Sequence, residues 1–489
     1  MSPLTQGLRY RAACDYYFGI ATAEILSVGD VSVVSVCVMV QKQATIVVVV
    51  MCVVGCTTVW YYQHAEPERR CCESLVGKTE RNIGGRQRVN GQWFSQTQPY
   101  HIHIYSAFFD SRRTLRSQSQ LAVIGVLDRR LSLERRIWCH VWYSMVTVAV
   151  VVRAHLMPIG TGKLMADGSE LVEHVFTCPL TTDLCVPVSV ALAWGASLDQ
   201  LTSFRVPVEL STWQQQQHDL AVCVSASFGH FDIRRLVEWL EMQQILGAQL
   251  IVIYNHSVSQ SVGRILSQYA DSDVSVELRQ TRAFMSHDDA LLHMSPVIND
   301  CMYRFSARFR YFAVIDLDEV IVPRHVHTIP VLVQLLSLQN KIPVALFAFR
   351  NAYFFLDIPI DDVERPSHWN AALSTYLLHR RRLTVSPPAY SVKSVINADA
   401  CVAMHNHYCW AYTADVLSGY WTVRLEVAPY DALLHHYKLC HLDSYLKQRG
   451  HCKSVMLTTV VDNVINKYSS SLADRLYIRC VQFNLTTVS

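Results

Sequence analysis

The sequence predicts an α/β protein: a mostly parallel, Rossmann-like sheet preceded by a β-rich region and a single transmembrane helix. Between 219 and 323, continuous apolar runs alternate with helical stripes, the pattern of a parallel sheet covered on both faces. Residues 100–208 hold short runs rich in Val, Ile and aromatics, each bounded by polar or Gly/Pro breaks, which are strand signals. Residues 44–62 carry no charge, enough for one membrane crossing as a helix.

In chain order, residues 1–43 read as a cytoplasmic tail. The run ATIVVVVMCVVGCTTVWYY (44–62) reads as the anchor, with Trp60, Tyr61 and Tyr62 suited to the membrane interface. A cleaved signal peptide would need a shorter apolar stretch nearer the N-terminus. Counting flanking charges (Lys42 before, Arg69, Arg70, Lys78 and Arg81 after) would leave the C-terminal mass in the cytoplasm. The sequons and the functional reading favour the lumen, and a luminal orientation is expected. Residues 63–98, polar and broken by Gly84-Gly85 and Asn90-Gly91, read as a stem. Residues 99–215 form the β-rich region, with strands in HIHIYSAFF (101–109), LAVIGVL (121–127) and the run up to Val152. Residues 216–489 form the α/β domain. There LAVCVSA (220–226) and LIVIYN (250–255) are buried strands, and Leu236, Trp239, Leu240, Ile245 and Leu246 mark a helical stripe. VGRILSQYA (262–270) is a second helix and VSVELRQ (274–280) a third strand. A helix at 291–307, with Pro296 in its first turns or kinking it, leads into YFAVIDLDEVIVP (311–323), read as a fourth strand.

Composition narrows the function. The net charge of +3 with scattered Lys and Arg excludes a nucleic-acid partner, which would need a dense basic stripe. The tightest run, His379–Arg382, reads as a solvated turn. Sixteen cysteines show no paired CxxC units at zinc spacing. With sequons at Asn255-His-Ser257 and Asn484-Leu-Thr486, they fit a secretory protein with some disulfides.

The chemistry is read from Asp316-Leu317-Asp318-Glu319 at the end of the fourth strand. Three acids in four positions after an apolar strand need a neutralising partner, because an unpaired buried carboxylate is costly. Strand alternation places Asp316 and Asp318 on one side, where they can hold Mn²⁺ or Mg²⁺ with positions open for phosphate oxygens. Ligands in such sheets bind outside the carboxyl ends of the strands, which is where these acids fall.

Over most of this expected luminal part the chain resembles glycosyltransferase family 92. The likeness is carried by IYSAFFDSRR (104–113), WCHVWY (138–143), AVCVSASFG (221–229) and LVEWLEMQQILGAQLIVIYNHS (236–257). INDCMYRF (298–305), FAVIDLDEVIVP (312–323), KSVINADACVAMHNH (393–407) and LLHHYK (433–438) complete it. The resemblance implies a GT-A fold and inverting transfer of a sugar, galactose first, from a UDP-sugar to a glycan acceptor on glycoprotein or glycolipid. It also implies a single-pass type II protein of the Golgi membrane. Asp316 and Asp318 match the family's metal pair, Glu319 its following acid, His407 the His after the KSxIxxP-like segment, and His436 and Lys438 its HYK-type element. The usual Pro of that segment is Ala398 here, and the usual Gly before the His is His405, so the imidazole ligand is open between neighbours. Lys393 and Lys438 are candidates to meet diphosphate oxygens as point charges. Tyr254 and Asn255, ending the second strand, are candidates for the uracil or ribose; Asn255 cannot both line that site and carry a glycan.

Inverting transfer needs a carboxylate base within reach of the acceptor hydroxyl. Asp361, Asp362, Glu364 and Asp415 are the candidates, and the sequence does not choose among them. A phosphotransferase would need a Gly-rich phosphate cradle, which is missing from the sequence. The alternative of a different class is a catalytically inactive protein that keeps the fold as a glycan-binding or structural module.

Overall fold

A computed structural model gives the fold. It describes strands within 21–63, and then 93–483 except 98, 111, 113–118, 135–136, 145, 161, 166, 181–185, 198–203, 211–217, 230–231, 273–274, 282–289, 357–375, 377–379 and 441–457. The chain divides into two compact units, Met1–Arg86 and Gln87–Ser489.

In the N-terminal unit, Ala21–Val28, Val31–Gln41, Ala44–Val53 and Cys56–Gln63 pair in order as an antiparallel sheet. This corrects the expected anchor: residues 44–62 form two strands that fold back on each other. Val and Thr dominate both strands, and β-branched side chains suit the pleated chain better than a helix. Among the described residues no helix is long and apolar enough to cross a membrane. Of the expected stem, residues 64–92 lie outside the described residues, and Phe94–Gln96 is a strand paired with Ile102–Asp110.

The second unit begins with a ten-stranded sheet spanning Phe94 to Leu210. Its centre is Ile102–Asp110, Gln120–Asp128 and Glu170–Pro179, which pair antiparallel and are almost entirely buried. A disulfide joins Cys139 to Cys178.

The α/β part, labelled here from its own start, contains β1 (His218–Gly229), α1 (Ile233–Ile245), β2 (Leu250–Val258), α2 (Gln260–Ser272) and β3 (Val276–Gln280). It continues through α3 (Ala290–Phe305), β4 (Phe309–Val314), β5 (Glu319–Pro323), α4 (Ile329–Gln339), β6 (Leu346–Phe349) and β7 (Asn351–Phe355). Then come β8 (Lys393–Asn397), β9 (Cys401–Met404), β10 (Cys409–Tyr412), β11 (Leu425–Glu426), β12 (Ala432–Lys438) and α5 (Ser469–Gln482). The main sheet runs β3-β2-β1-β4-β8-β6-β11. Its first four strands are parallel and β8 is antiparallel to both neighbours, so the expected α/β class holds as a mixed sheet. α1 starts at Asp232, whose carboxylate accepts from the Arg234 and Arg235 amides as an N-cap. It stops at Gly247, where φ is +97° and a Cβ would come within 2.8 Å of Pro330.

One expectation at the centre of the fold needs correction. Residues 311–323 are not one strand: β4 ends at Val314, residues 315–318 turn, and β5 joins a second sheet of order β5-β12-β7. The Glu319 amide donates to the Asp316 carbonyl at 3.0 Å, the closure of a tight turn. Asp316 and Asp318 therefore belong to a turn, not to one face of a strand. The run at 379–382 also differs: Arg380–Arg382 is a short strand paired with Thr459–Val461, and Arg381 reaches Asp462 at 2.8 Å.

Candidate active site

The order 3-2-1-4 makes the chain reverse direction across the sheet between β1 and β4, and a crevice opens at the carboxyl ends of such neighbours. The acidic turn follows β4 at this point. Three fixed groups hold it: Trp239 Nε1 of α1 donates to the Glu319 carbonyl at 2.9 Å, the Tyr437 amide donates to the Asp318 carbonyl at 2.8 Å, and Ile315 N reaches Cys223 O of β1.

Two basic side chains meet the three acids from different sheets. Lys393, on β8 and with a fully buried side chain, donates to Asp316 Oδ2 at 2.9 Å and stands 3.3 Å from Glu319 Oε2. It also donates to Asn406 Oδ1 at 2.6 Å. His436 on β12 lies opposite Glu319 in the sheet register. Its Nδ1 stands 3.1 Å from Asn351 Nδ2 and its Nε2 3.1 Å from Asp318 Oδ2. Glu319 Oε1 is 3.3 Å from the same Nδ1. Tyr353 stacks on His436 at 5.2 Å and lies under Lys438 Nζ at 5.9 Å.

The acids are unequal. Asp316 and Asp318 keep 36% and 41% of their side chains exposed, while Glu319 keeps 3%. Burial, with the charges of Asp316 and Asp318, pushes the Glu319 carboxyl up to about 7 against the pull of Lys393 and His436. Burial also acts to raise Asp318, but contact with His436 and the charge of Lys438 outweigh it and hold the carboxyl below its ordinary value. Burial opposes the charge on Lys393, and Glu319 and Asp316 more than restore it. Glu319 is thus a buried brace for Lys393 and His436, and the two aspartates face outward.

His407 lies at the tip of the β9–β10 hairpin. Its Nδ1 donates to the Val392 carbonyl at 2.8 Å, leaving Nε2 as the nitrogen with a lone pair. Burial and the charge of Lys393 lower its pKa, so it stays neutral. A backbone partner on the second nitrogen is the arrangement that orients metal-binding imidazoles. Even so, among the described residues no three His, Cys, Asp or Glu side chains already converge as a metal set; the expected triad of Asp316, Asp318 and His407 is not assembled. His405 accepts from the His407 amide through Nδ1 and is lowered to about 4, by burial first and then by His407 and Lys393.

Two expected donor contacts are not brought to the cluster. Tyr254 is fully buried and gives its hydroxyl to Asp300 at 2.6 Å, because an aromatic at the end of a doubly covered strand packs inward. Asn255 is spent locally, donating to Gln280 and accepting from the Val258 amide. Asp415 is half-buried and opens the Val416–Tyr420 turn. Asp361, Asp362, Glu364 and Asn484 lie outside the described residues. Asn351 and Asn406 were not found by sequence reasoning. Asn406 adjoins His407 and was open to discovery by proximity; Asn351 carried no signal.

Residues 218–476, more than half of the chain, match glycosyltransferase family 92. The chain belongs to this family of glycosyltransferases. Among individual proteins, a Caenorhabditis elegans relative described as beta-1,4-galactosyltransferase galt-1 is 27% identical over 119 residues. That match spans 24% of this chain and 28% of the relative. Of solved structures, S. aureus TarS is 10% identical, covering 55% of this chain and 73% of that one, with a TM-score of 0.24. HddC from Yersinia pseudotuberculosis is 14% identical, covering 49% and 99%, with a TM-score of 0.23. At such scores these two likenesses carry no argument.

Proposed function

We propose that the chain is a metal-dependent, inverting glycosyltransferase that moves a sugar, galactose first, from a UDP-sugar to a glycan acceptor. The observation that carries this reading is the acidic turn at the β1/β4 switch point, with two outward carboxylates backed by a buried acid and two basic groups. Asp316 and Asp318 each commit one oxygen to a basic partner and remain more than a third exposed, a hard oxygen donor set that suits Mn²⁺ or Mg²⁺. When bound, the cation would supply positive charge against the negative charge that builds on the departing nucleoside diphosphate. Lys393 fixes Asp316, His436 fixes Asp318, and Glu319 keeps both basic groups in place. Lys438, beside Asp318, adds a cation on the same side for diphosphate oxygens.

Disulfides Cys139–Cys178, Cys223–Cys301 and Cys401–Cys409 support an oxidising compartment, and the Golgi lumen is the proposed one. The galactosyltransferase description of the nematode relative supports the donor sugar. The test uses protein secreted from a eukaryotic host, screened with UDP-sugars, Mn²⁺ and a panel of fucosylated and N-glycan acceptors. Metal-dependent UDP release with one sugar is expected, and Asp318→Asn should lower it by about 10²-fold or more. A folded protein that neither binds UDP nor turns over any donor would establish the non-catalytic module instead.

A further inference from the structure

The β9–β10 hairpin is built more rigidly than its contacts to Lys393 require. A disulfide joins Cys401, at the base of the first strand, to Cys409, at the tip end of the second. Asn299 of α3 exchanges two hydrogen bonds with the Met404 backbone, at 2.8 and 2.9 Å, and the Tyr303 hydroxyl donates to the Val402 carbonyl at 2.7 Å. Ser394 Oγ donates to the His407 carbonyl at 2.6 Å. With Asn406 on Lys393 and His407 on Val392, the tip is fixed beside Asp316.

This scaffold presents three rings. Strand alternation buries Cys409 and leaves Trp410 exposed, with Tyr408 half-buried behind it against the core. Tyr408 and Trp410 are nearly parallel, 19° apart with centroids at 5.9 Å. His405 stacks on Tyr408 at 4.5 Å and lies 5.4 Å from Trp410. Trp410 is 37% exposed, so a large apolar ring stands open on a rigid hairpin whose tip bonds Lys393 through Asn406. A pyranose has a face of C–H groups that can be buried on such a ring while its hydroxyls stay at the rim. The rim offers a donor: His405 Nδ1 accepts from the His407 amide, which puts the ring proton on Nε2.

We propose that Trp410, backed by the stacked rings of Tyr408 and His405, is the stacking platform for a pyranose of the acceptor glycan, an inference that rests on the transferase reading for its role in the reaction. The experiment titrates the full chain with free fucosylated and N-glycan oligosaccharides, read by saturation-transfer NMR, with UDP affinity measured separately by calorimetry. One oligosaccharide class should bind wild type with its saturated protons on a ring face. Trp410→Ala and Tyr408→Leu should each weaken it about tenfold, and Trp410→Phe should stay within about threefold, because a flat ring is retained. Saccharide binding without UDP binding would sink the transferase reading and leave the platform standing. Equal binding by wild type and Trp410→Ala, or UDP binding with no saccharide binding, would overturn the platform. So would a variant that loses UDP and saccharide together, since Trp410 would then only hold the hairpin in shape.

Discussion

Lys393 has a buried ammonium with two carboxylates and an amide oxygen around it, and a buried cation of this kind is tolerated only while its partners are charged or hydrogen-bonded. Replacing it by Met leaves Asp316 and Glu319 facing each other. The cost depends on pH through Glu319, whose folded-state value near 7 lies above its ordinary 4.5. A raised value means that the stability it contributes is full below 4.5 and is lost as pH rises through about 7. At pH 5 a protonated Glu319 leaves little repulsion in Lys393→Met. Removing the cation raises the Glu319 carboxyl further, so between pH 7 and 8 the variant keeps a proton that wild type releases, and at pH 8 Lys393→Met should cost about 1 kcal/mol more than at pH 5. Urea unfolding at both pH values checks this; equal losses would show that Lys393 acts by packing alone. Asp318 has the opposite sign, since its lowered value gives stability that is present above its ordinary 3.8 and falls away in acid. At this scale the sequence revealed the acids, because charge after an apolar strand is conspicuous. The compensating groups lie 74 to 118 positions further along in Lys393 and His436, and nothing local to the acids announces them.

α3 shows how an element holds two sheets together. Its Asp300 is completely buried and takes a bidentate contact from Arg304, four residues on, together with the Tyr254 hydroxyl. Arg304 also grips Glu209 of the β-rich sheet, and α3 residues pack in one core with strands from both sheets. Arg304→Met should cost about 3–5 kcal/mol, because it leaves a buried carboxylate short of charge. Adding Asp300→Leu should recover part of that loss, as removing both partners is cheaper than removing one. A denaturant series in which the double variant is worse than the single would refute this account. The helices and parallel strands around α3 were legible because strands buried on both faces leave unbroken apolar runs. The same signal misled at 44–62, where a charge-free stretch satisfies the length of a membrane helix although its Val and Thr fit strands. It misled again at 311–323, where apolar residues continue across a turn and only a change of sheet, set by β12 far downstream, breaks the strand.

For the whole molecule, the disulfides decide where folding can succeed. Cys223–Cys301 ties β1 to α3 across 78 positions, and Cys139–Cys178 ties two strands of the β-rich sheet across 39. A cross-link of the longer span restricts the unfolded chain by about 4 kcal/mol, a large part of the stability of an ordinary domain. Its sulfurs lie in the core that the two sheets share, so reduction leaves the packing in place but frees the unfolded state. Cys223→Ser with Cys301→Ser should therefore lower stability by about 3–4 kcal/mol while the folded fraction keeps UDP affinity. Cys401→Ser with Cys409→Ser opens a loop of only 8 positions and should cost less, but should weaken oligosaccharide binding through the hairpin. The two effects separate by readout, unfolding for the first pair and saccharide titration for the second. If neither pair changes either readout, the cysteines are incidental and the argument for an oxidising compartment falls with them.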